Sequence, residues 1–342
     1  MDELPSFDGA AQHLPRPLPL LLQLLEREAR EKRVDLGAAL GGLKRYQAAE
    51  RADFVRRPLA TYAQHKSIRL MASRRWQQDR DWILLIPSII NGAEILDLSE
   101  GLSLMDWLAD THNVLIVDWG SVDADRAGED FDDLIATQLA PLVARIAMDY
   151  GSAPHLFGYC LGGMFALALS HLVEARSLAL VATPWDFSAY PDDQIAALRQ
   201  LWAVQKHACS NLGLMPFELL QSGFWMLEPD RVAAKYAKAL HMTADPFARF
   251  VRVEDWANGG QPLMLGAARD LMQDMAECNI AACGGWNIGG RTIAAPPDAL
   301  PCLSVRSSTD RIVPHAVSAA FGEVRDVSSG HIGMMVGSKR RE

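Results

Sequence analysis

The sequence predicts an α/β fold, with a mostly parallel central sheet flanked by helices, and three observations predict it. Short apolar runs recur at residues 82–86, 114–117, 155–157, 177–181 and 301–305, the first two apolar throughout, as strands buried on both faces read. The intervals between them hold helical patterns, which is the alternation of a parallel sheet with covering helices. A turn rich in glycine, Gly158-Tyr159-Cys160-Leu161-Gly162-Gly163, joins the run His155-Leu156-Phe157 to the helix former Met164-Phe165-Ala166-Leu167-Ala168-Leu169.

Residues 1–65 are expected to form a helical arm. Pro15, Pro17 and Pro19 favour an extended entry, and the leucine-rich run from Leu18 to Glu26 then leads into a charged helical stretch ending at Arg33. Docking of that apolar stretch on the core is favoured over binding of a partner. The first part of the sheet domain is placed at 66–187. There Ser67-Ile68-Arg69-Leu70-Met71-Ala72 alternates like an early strand and Trp82-Ile83-Leu84-Leu85-Ile86 reads as a buried one. Residues 188–297 lie between two core strands and are too long for a simple loop, so an inserted cap domain is expected. Helical spacing at 194–202 and 231–240 supports this, and Phe224, Trp225, Trp256 and Trp286 supply apolar surface better suited to packing the cap than to touching substrate. The sheet domain resumes at 298–342 with strands near 301–305 and 323–327. The chain ends at Glu342, soon after His331, so the core is expected to lack a closing helix.

The G-x-C-x-G-G box has the form of the nucleophile elbow of α/β-hydrolases, with cysteine in the usual place of serine. A strand, a sharp turn and a helix hold the nucleophile in a strained backbone conformation that glycine neighbours permit. The helix N-terminus favours thiolate at Cys160 and offers the Leu161 N–H to an oxyanion. In this fold the acid and then the histidine follow two late strands. Asp310, in Ser307-Ser308-Thr309-Asp310-Arg311-Ile312-Val313-Pro314, stands where the acid belongs, its competing role being a turn cap. His331, in Ser328-Ser329-Gly330-His331-Ile332-Gly333, stands where the base belongs. Asp186, in Thr183-Pro184-Trp185-Asp186-Phe187, is a second candidate acid ranked below Asp310. His315 lies too soon after Asp310 and reads as a surface residue opening a helix, and His171 as a packing residue. The second oxyanion donor is sought just past the third core strand, at Ser88 to Ile90, with the Ile89 N–H chosen.

The resemblance extends past these residues. Ile86-Pro87-Ser88-Ile89-Ile90-Asn91 with Ile95-Leu96-Asp97-Leu98, Val114-Leu115-Ile116-Val117-Asp118-Trp119-Gly120, Ala182-Thr183-Pro184-Trp185-Asp186-Phe187, Arg249-Phe250-Val251-Arg252-Val253-Glu254-Asp255-Trp256 and Ser329-Gly330-His331-Ile332-Gly333 occur in order. Together with the elbow they resemble the catalytic subunits of polyhydroxyalkanoate synthases, particularly the short two-component type. Residue by residue, the resemblance implies Cys160 as nucleophile, Asp310 as acid and His331 as base. It also implies polymerisation of 3-hydroxyacyl-CoA through an acyl thioester on Cys160 with release of coenzyme A. No cofactor is implied, coenzyme A being part of the substrate. The implied partners are the polyhydroxyalkanoate chain or granule and an accessory subunit or homodimer.

Cysteine suits this substrate, because exchange of one thioester for another keeps the acyl group activated whereas a serine ester would not. The triad alone does not select polymerisation. A thioesterase or esterase with the same residues, and a non-catalytic granule-associated homologue, stay open. The net charge of −9 argues against nucleic acid as a partner and gives anionic coenzyme A no global attraction. No run approaches the ~20 apolar residues of a transmembrane helix, and the acidic Met1-Asp2-Glu3-Leu4-Pro5 is unlike a secretory signal. A cytoplasmic protein, granule-associated in the synthase reading, is therefore expected. Cys209, Cys278, Cys283 and Cys302 are then expected to be reduced, and no metal site is expected, since Cys278 and Cys283 lack a second ligand pair.

Overall fold

In the computed structural model the described residues are 14–51, 59–72 and 76–337. Residues 1–13 and 52–58 of the expected arm lie outside them, as do 73–75 and 338–342. The chain divides into two compact units, one of residues 55–216 with 261–342 and one of residues 1–54 with 217–260.

The larger unit is built on an eight-stranded sheet of β1 (Ala60–His65), β2 (Ile68–Ala72), β3 (Trp82–Ile86), β4 (Asn113–Asp118), β5 (His155–Tyr159), β6 (Ser177–Val181), β7 (Cys302–Ser307) and β8 (Glu323–Val327). Their spatial order is β1-β2-β4-β3-β5-β6-β7-β8. The first two strands pair antiparallel, as do β2 and β4, and every later pair is parallel. β3 is buried at every position, which is why its sequence shows no alternation. β1 was hidden inside the expected arm because its side chains are largely exposed and carry no apolar face. Parallel pairing puts the C-terminal ends of β3, β5, β7 and β8 on one edge of the sheet, where ligands of open α/β sheets bind.

The helix Leu161–Leu169 is buried along its whole length. Phe165 from this helix meets Trp119 and Phe131 edge-on, with ring centroids 5.3 and 4.8 Å away. A six-residue helix, His331–Val336, follows β8, so the expectation of no helix there is corrected for the described residues.

The smaller unit is helical: Leu18–Arg30, Leu36–Gln47, Phe217–Leu227, Pro229–Ala239 and Ala244–Asn258. Its core joins Leu21, Leu25, Leu43 and Tyr46 to Trp225, Ala233, Tyr236 and Val251. Gly42 lets two helices approach, since a Cβ there would strike the Tyr236 carbonyl. Buried polar contacts tie the segments further. Tyr46 donates to Asp255 and Tyr236 to Glu254, each at 2.7 Å, and Gln221 donates to Asn258 at 3.0 Å. Arg45 donates to the carbonyls of Ala239, Leu240 and Met242, at and just past the C-terminus of the helix Pro229–Ala239.

The expected boundaries are thereby corrected. The leucine-rich stretch of the arm, expected to dock on the core, packs with residues 217–260 in the smaller unit. The expected cap at 188–297 is divided, because Leu214–Met215 pairs with Leu263–Met264 at the neck of the 217–260 excursion. The flanking helix Asp192–Leu212 stays with the sheet unit, where Arg199 donates to the Ala276 carbonyl at 3.0 Å. Among the described residues no helix is long and apolar enough to cross a membrane.

Candidate active site

Cys160 directly follows β5 and is the N-cap of the buried helix, with φ 57° and ψ −130°. That is a left-handed conformation a residue with a Cβ avoids, held here by its surroundings. Its N–H donates to the Val181 carbonyl at 2.9 Å and its carbonyl accepts from Gly163 at 2.9 Å. Two glycines make the turn sterically feasible. A Cβ on Gly162 would strike the Ile86 carbonyl and come within 2.6 Å of the Pro87 carbonyl, and one on Gly158 would meet the Gly162 carbonyl. The helix therefore starts against the end of β3, and the Ser88–Ile90 segment begins beside it. The Leu161 N–H, at the first helical position, has no carbonyl a turn earlier within the helix to accept it. Ile89 is buried in the segment after β3, where Ser88 Oγ accepts from the Ile90 N–H at 3.3 Å.

Asp310, on the loop after β7, and His331, the first residue of the helix after β8, are brought together. Asp310 Oδ2 lies 2.6 Å from His331 Nδ1, and Oδ1 accepts from the N–H groups of Ile312 and Val313 at 2.8 and 3.0 Å. A carboxylate can only accept here, so Nδ1 carries a proton and Nε2 is left for Cys160. Burial, the largest single influence on His331, disfavours its charged form. The charges of Asp310 and Cys160, and hydrogen bonds from both, outweigh it and raise the imidazole pKa to about 10. Cys160, Asp310 and His331 are all buried.

The other candidates fall elsewhere. Asp186 Oδ1 accepts from the Ser188 N–H and hydroxyl at 3.0 and 2.6 Å and from Asn279 Nδ2 at 2.9 Å. These bonds, that to the Ser188 hydroxyl first, hold its pKa below the usual carboxylate value and occupy it as a turn cap. His315 lies 3.0 Å from Asp326, in a turn rather than the helix start expected for it, and His171 Nε2 lies 2.7 Å from the Ala295 carbonyl. All five cysteines are free; Cys278 and Cys283 are exposed.

Two phenols beside the site were not anticipated. Tyr159 donates to the His331 carbonyl at 3.1 Å, its ring 5.2 Å from the imidazole. Tyr190 donates to the Ile312 carbonyl at 2.8 Å. Burial, then the charges of Cys160 and Asp310, pushes both phenols up. Tyr159 stood inside the elbow box and was readable as a neighbour of the thiol. Tyr190 carries no motif.

The strand order, the strained cysteine elbow and an Asp–His pair following the last two strands define an α/β-hydrolase fold. Two curated relatives are similar in sequence. One is the poly(3-hydroxyalkanoate) polymerase subunit PhaC of Cupriavidus necator, 30% identical over 115 residues, covering 31% of this chain and 19% of that protein. The other is a poly(3-hydroxyalkanoate) polymerase of Methylorubrum extorquens, 23% identical over 271 residues, covering 74% of this chain and 44% of that protein. The chain thus spans less than half the length of either relative. No family model matches it. Similar solved structures include a proline iminopeptidase-related protein from Thermus thermophilus, with TM-score 0.47 and 13% identity over 82% of this chain and 92% of that one. Another is described as an epoxide hydrolase of the α/β-hydrolase superfamily from hot-environment metagenomes, with TM-score 0.45 and 14% identity over 83% and 95%.

Proposed function

We propose that the chain is a polyhydroxyalkanoate synthase-type acyltransferase acting on 3-hydroxyacyl-CoA, with Cys160 as nucleophile, His331 as base and Asp310 as its orienting acid. The observation that carries the chemistry is the buried contact of Asp310 with a histidine whose proton affinity is raised by both Asp310 and Cys160. Similarity to two poly(3-hydroxyalkanoate) polymerases supports the choice of substrate.

His331 Nε2 takes the Cys160 proton and the sulfur attacks the thioester carbonyl. The Leu161 N–H, with Ile89 as second donor, holds the oxyanion, each donor lowering the barrier by about 3 kcal/mol. The carbon–sulfur bond to coenzyme A then breaks, the leaving thiolate takes the proton from His331, and the acyl group stays on Cys160 as a thioester. For elongation, His331 removes the proton from the hydroxyl of a monomer or chain end. The resulting oxygen attacks the Cys160 thioester, forms an ester and returns the sulfur to the His331 proton. An accessory subunit or second copy, and residence on the granule, belong to this reading.

The test is the intact mass of the purified chain after mixing with 3-hydroxybutyryl-CoA, with free coenzyme A, free acid and polymer assayed, alone and with a synthase accessory subunit. A Cys160-linked acyl adduct, thiol release and polymer are expected. Free acid without polymer makes the chain a thioesterase. Absence of both adduct and thiol release overturns the catalytic reading.

A further inference from the structure

The turn at residues 183–190 is fastened more firmly than a loop between a strand and a helix requires. The Trp185 and Asp186 N–H groups donate to the Val317 carbonyl at 2.9 and 3.1 Å, and the Ala319 N–H donates to the Thr183 carbonyl at 2.8 Å. Asn279 holds it from the other side, accepting from the Phe187 N–H at 2.8 Å and donating to Asp186 at 2.9 Å. Tyr190 ends the short 3-10 turn Phe187–Ala189 that Asp186 caps, and its ring lies 5.9 Å from that of Phe187. The result is a phenol whose direction is set before it meets the acid loop.

What the phenol meets is one peptide removed from the triad. Its hydroxyl donates to the carbonyl of Ile312, whose own N–H donates to Asp310 Oδ1, while Oδ2 faces His331 Nδ1. Tyr190, Ile312, Asp310 and His331 therefore form one chain of hydrogen bonds, with each contact between 2.6 and 2.8 Å. A carboxylate has several acceptor directions and one torsion that swings them. Fixing Oδ1 on the Ile312 and Val313 N–H groups is what aims Oδ2 at the imidazole, and fixing Ile312 is what aims its N–H.

We propose that Tyr190 is a positioning residue: by holding the Ile312 carbonyl it keeps the Asp310 carboxylate aimed at His331. This deepens the triad reading and rests on it. Tyr190 acts through Asp310, so its removal weakens the imidazolium rather than the chemistry of the thiol itself. Asp310 and Cys160 are the titratable groups that raise the His331 pKa, Tyr159 packs beside its ring, and Tyr190→Phe alters none of the three.

Two readouts independent of any substrate test this. One is the His331 titration midpoint by histidine-selective NMR, and the other is the alkylation rate of Cys160 by iodoacetamide from pH 5 to 10.5. Tyr190→Phe is expected to lower the His331 midpoint by more than about half a unit and to slow alkylation near pH 7 severalfold. The decisive comparison is the double variant. In an Asp310→Asn background the same substitution should leave the midpoint and the rate unchanged, because the link it acts through is gone. An unaltered His331 midpoint in folded Tyr190→Phe overturns the proposal, as does an equal shift with and without Asp310. If the phenylalanine variant does not fold, Ile312→Ala in the wild-type background serves as control and Tyr190→Trp replaces it, with the same midpoint decisive. A wild type in which Cys160 alkylation ignores the His331 titration overturns the triad reading instead, and so separates the two failures.

Discussion

His331 Nδ1 stands 2.6 Å from Asp310 Oδ2 with the two side chains 7% and 1% exposed, and this contact acts with Cys160 against the burial that disfavours a charged imidazole. Removing this partner while leaving the burial should therefore be severe, because Cys160 alone is then left to offset the desolvation of the imidazolium. Asp310→Asn preserves shape and loses the charge. Its expected consequence is a fall of the His331 pKa and a loss of acyl transfer on the order of 10³-fold, comparable in kind to other neutralised triad acids.

The same contact sets a pH dependence of stability. The folded His331 pKa is raised from its ordinary 6.5 to about 10. The stabilisation is accordingly complete below pH 6.5 and is lost as pH rises through about 10. Urea unfolding of wild type and Asp310→Asn at a series of pH values should show their largest difference near pH 6 to 7, shrinking toward pH 10. A difference that grows with pH contradicts the assignment.

Cys160 is read best as a strained residue. Its φ of 57° and ψ of −130° suit glycine, and strain of this kind costs about 1–3 kcal/mol. Cys160→Gly should raise the unfolding free energy by about 1 kcal/mol and abolish acyl-enzyme formation, the exchange of stability for activity found at such sites. Cys160→Ser should keep the fold and cut turnover by on the order of 10²-fold or more, since a hydroxyl is poorly matched to the base. Denaturant titration and intact mass read both.

The sheet and the elbow were legible because their causes are local. β3 is apolar at every position because both its faces are covered, and Gly158 and Gly162, each demanded by the turn, stand within two residues of Cys160. Asp310 and His331, which the structure brings into contact, stood out in the sequence by their place after late strands. The smaller unit was not legible, because helix faces carrying Leu21 and Leu25, and Tyr46, show that they must be buried but not that Tyr236 and Val251 bury them. β1 escaped because an exposed edge strand needs no alternation. Tyr190 escaped because a hydroxyl aimed at a backbone carbonyl 122 positions away leaves no pattern in the chain.

Gly162 gives a steric test of the elbow. The atoms a Cβ would strike, the carbonyls of Ile86 and Pro87, are backbone at the end of a buried strand and cannot swing aside. Gly162→Ala is expected to cost about 3 kcal/mol, at the upper end of overpacking effects, or to prevent folding. Gly101→Ala meets nothing within 4 Å, but its φ of 71° makes it strained too, by about 1 kcal/mol. The first substitution should therefore lower the urea midpoint substantially more than the second, and similar losses would mean that the helix does not approach β3 closely enough for a Cβ at 162 to strike the Ile86 carbonyl.

Asp186 separates the two acids that the sequence offered. Its carboxylate caps a turn, accepting from Ser188 and Asn279, and the bonds that lower its pKa stabilise the charged form. A lowered folded pKa means that this stabilisation is present above the ordinary value of 3.8 and is lost as pH falls below it. Asp186→Asn keeps one acceptor oxygen but loses the charge, and should cost about 1 kcal/mol at pH 7, with the cost vanishing on acidification. Its effect on the His331 titration should be small beside that of Asp310→Asn, because none of its bonds reaches the imidazole. Any influence on His331 would have to travel through the turn that ends at Tyr190. An Asp186→Asn variant that lowers the His331 midpoint as far as Asp310→Asn does would make Asp186 the acid after all.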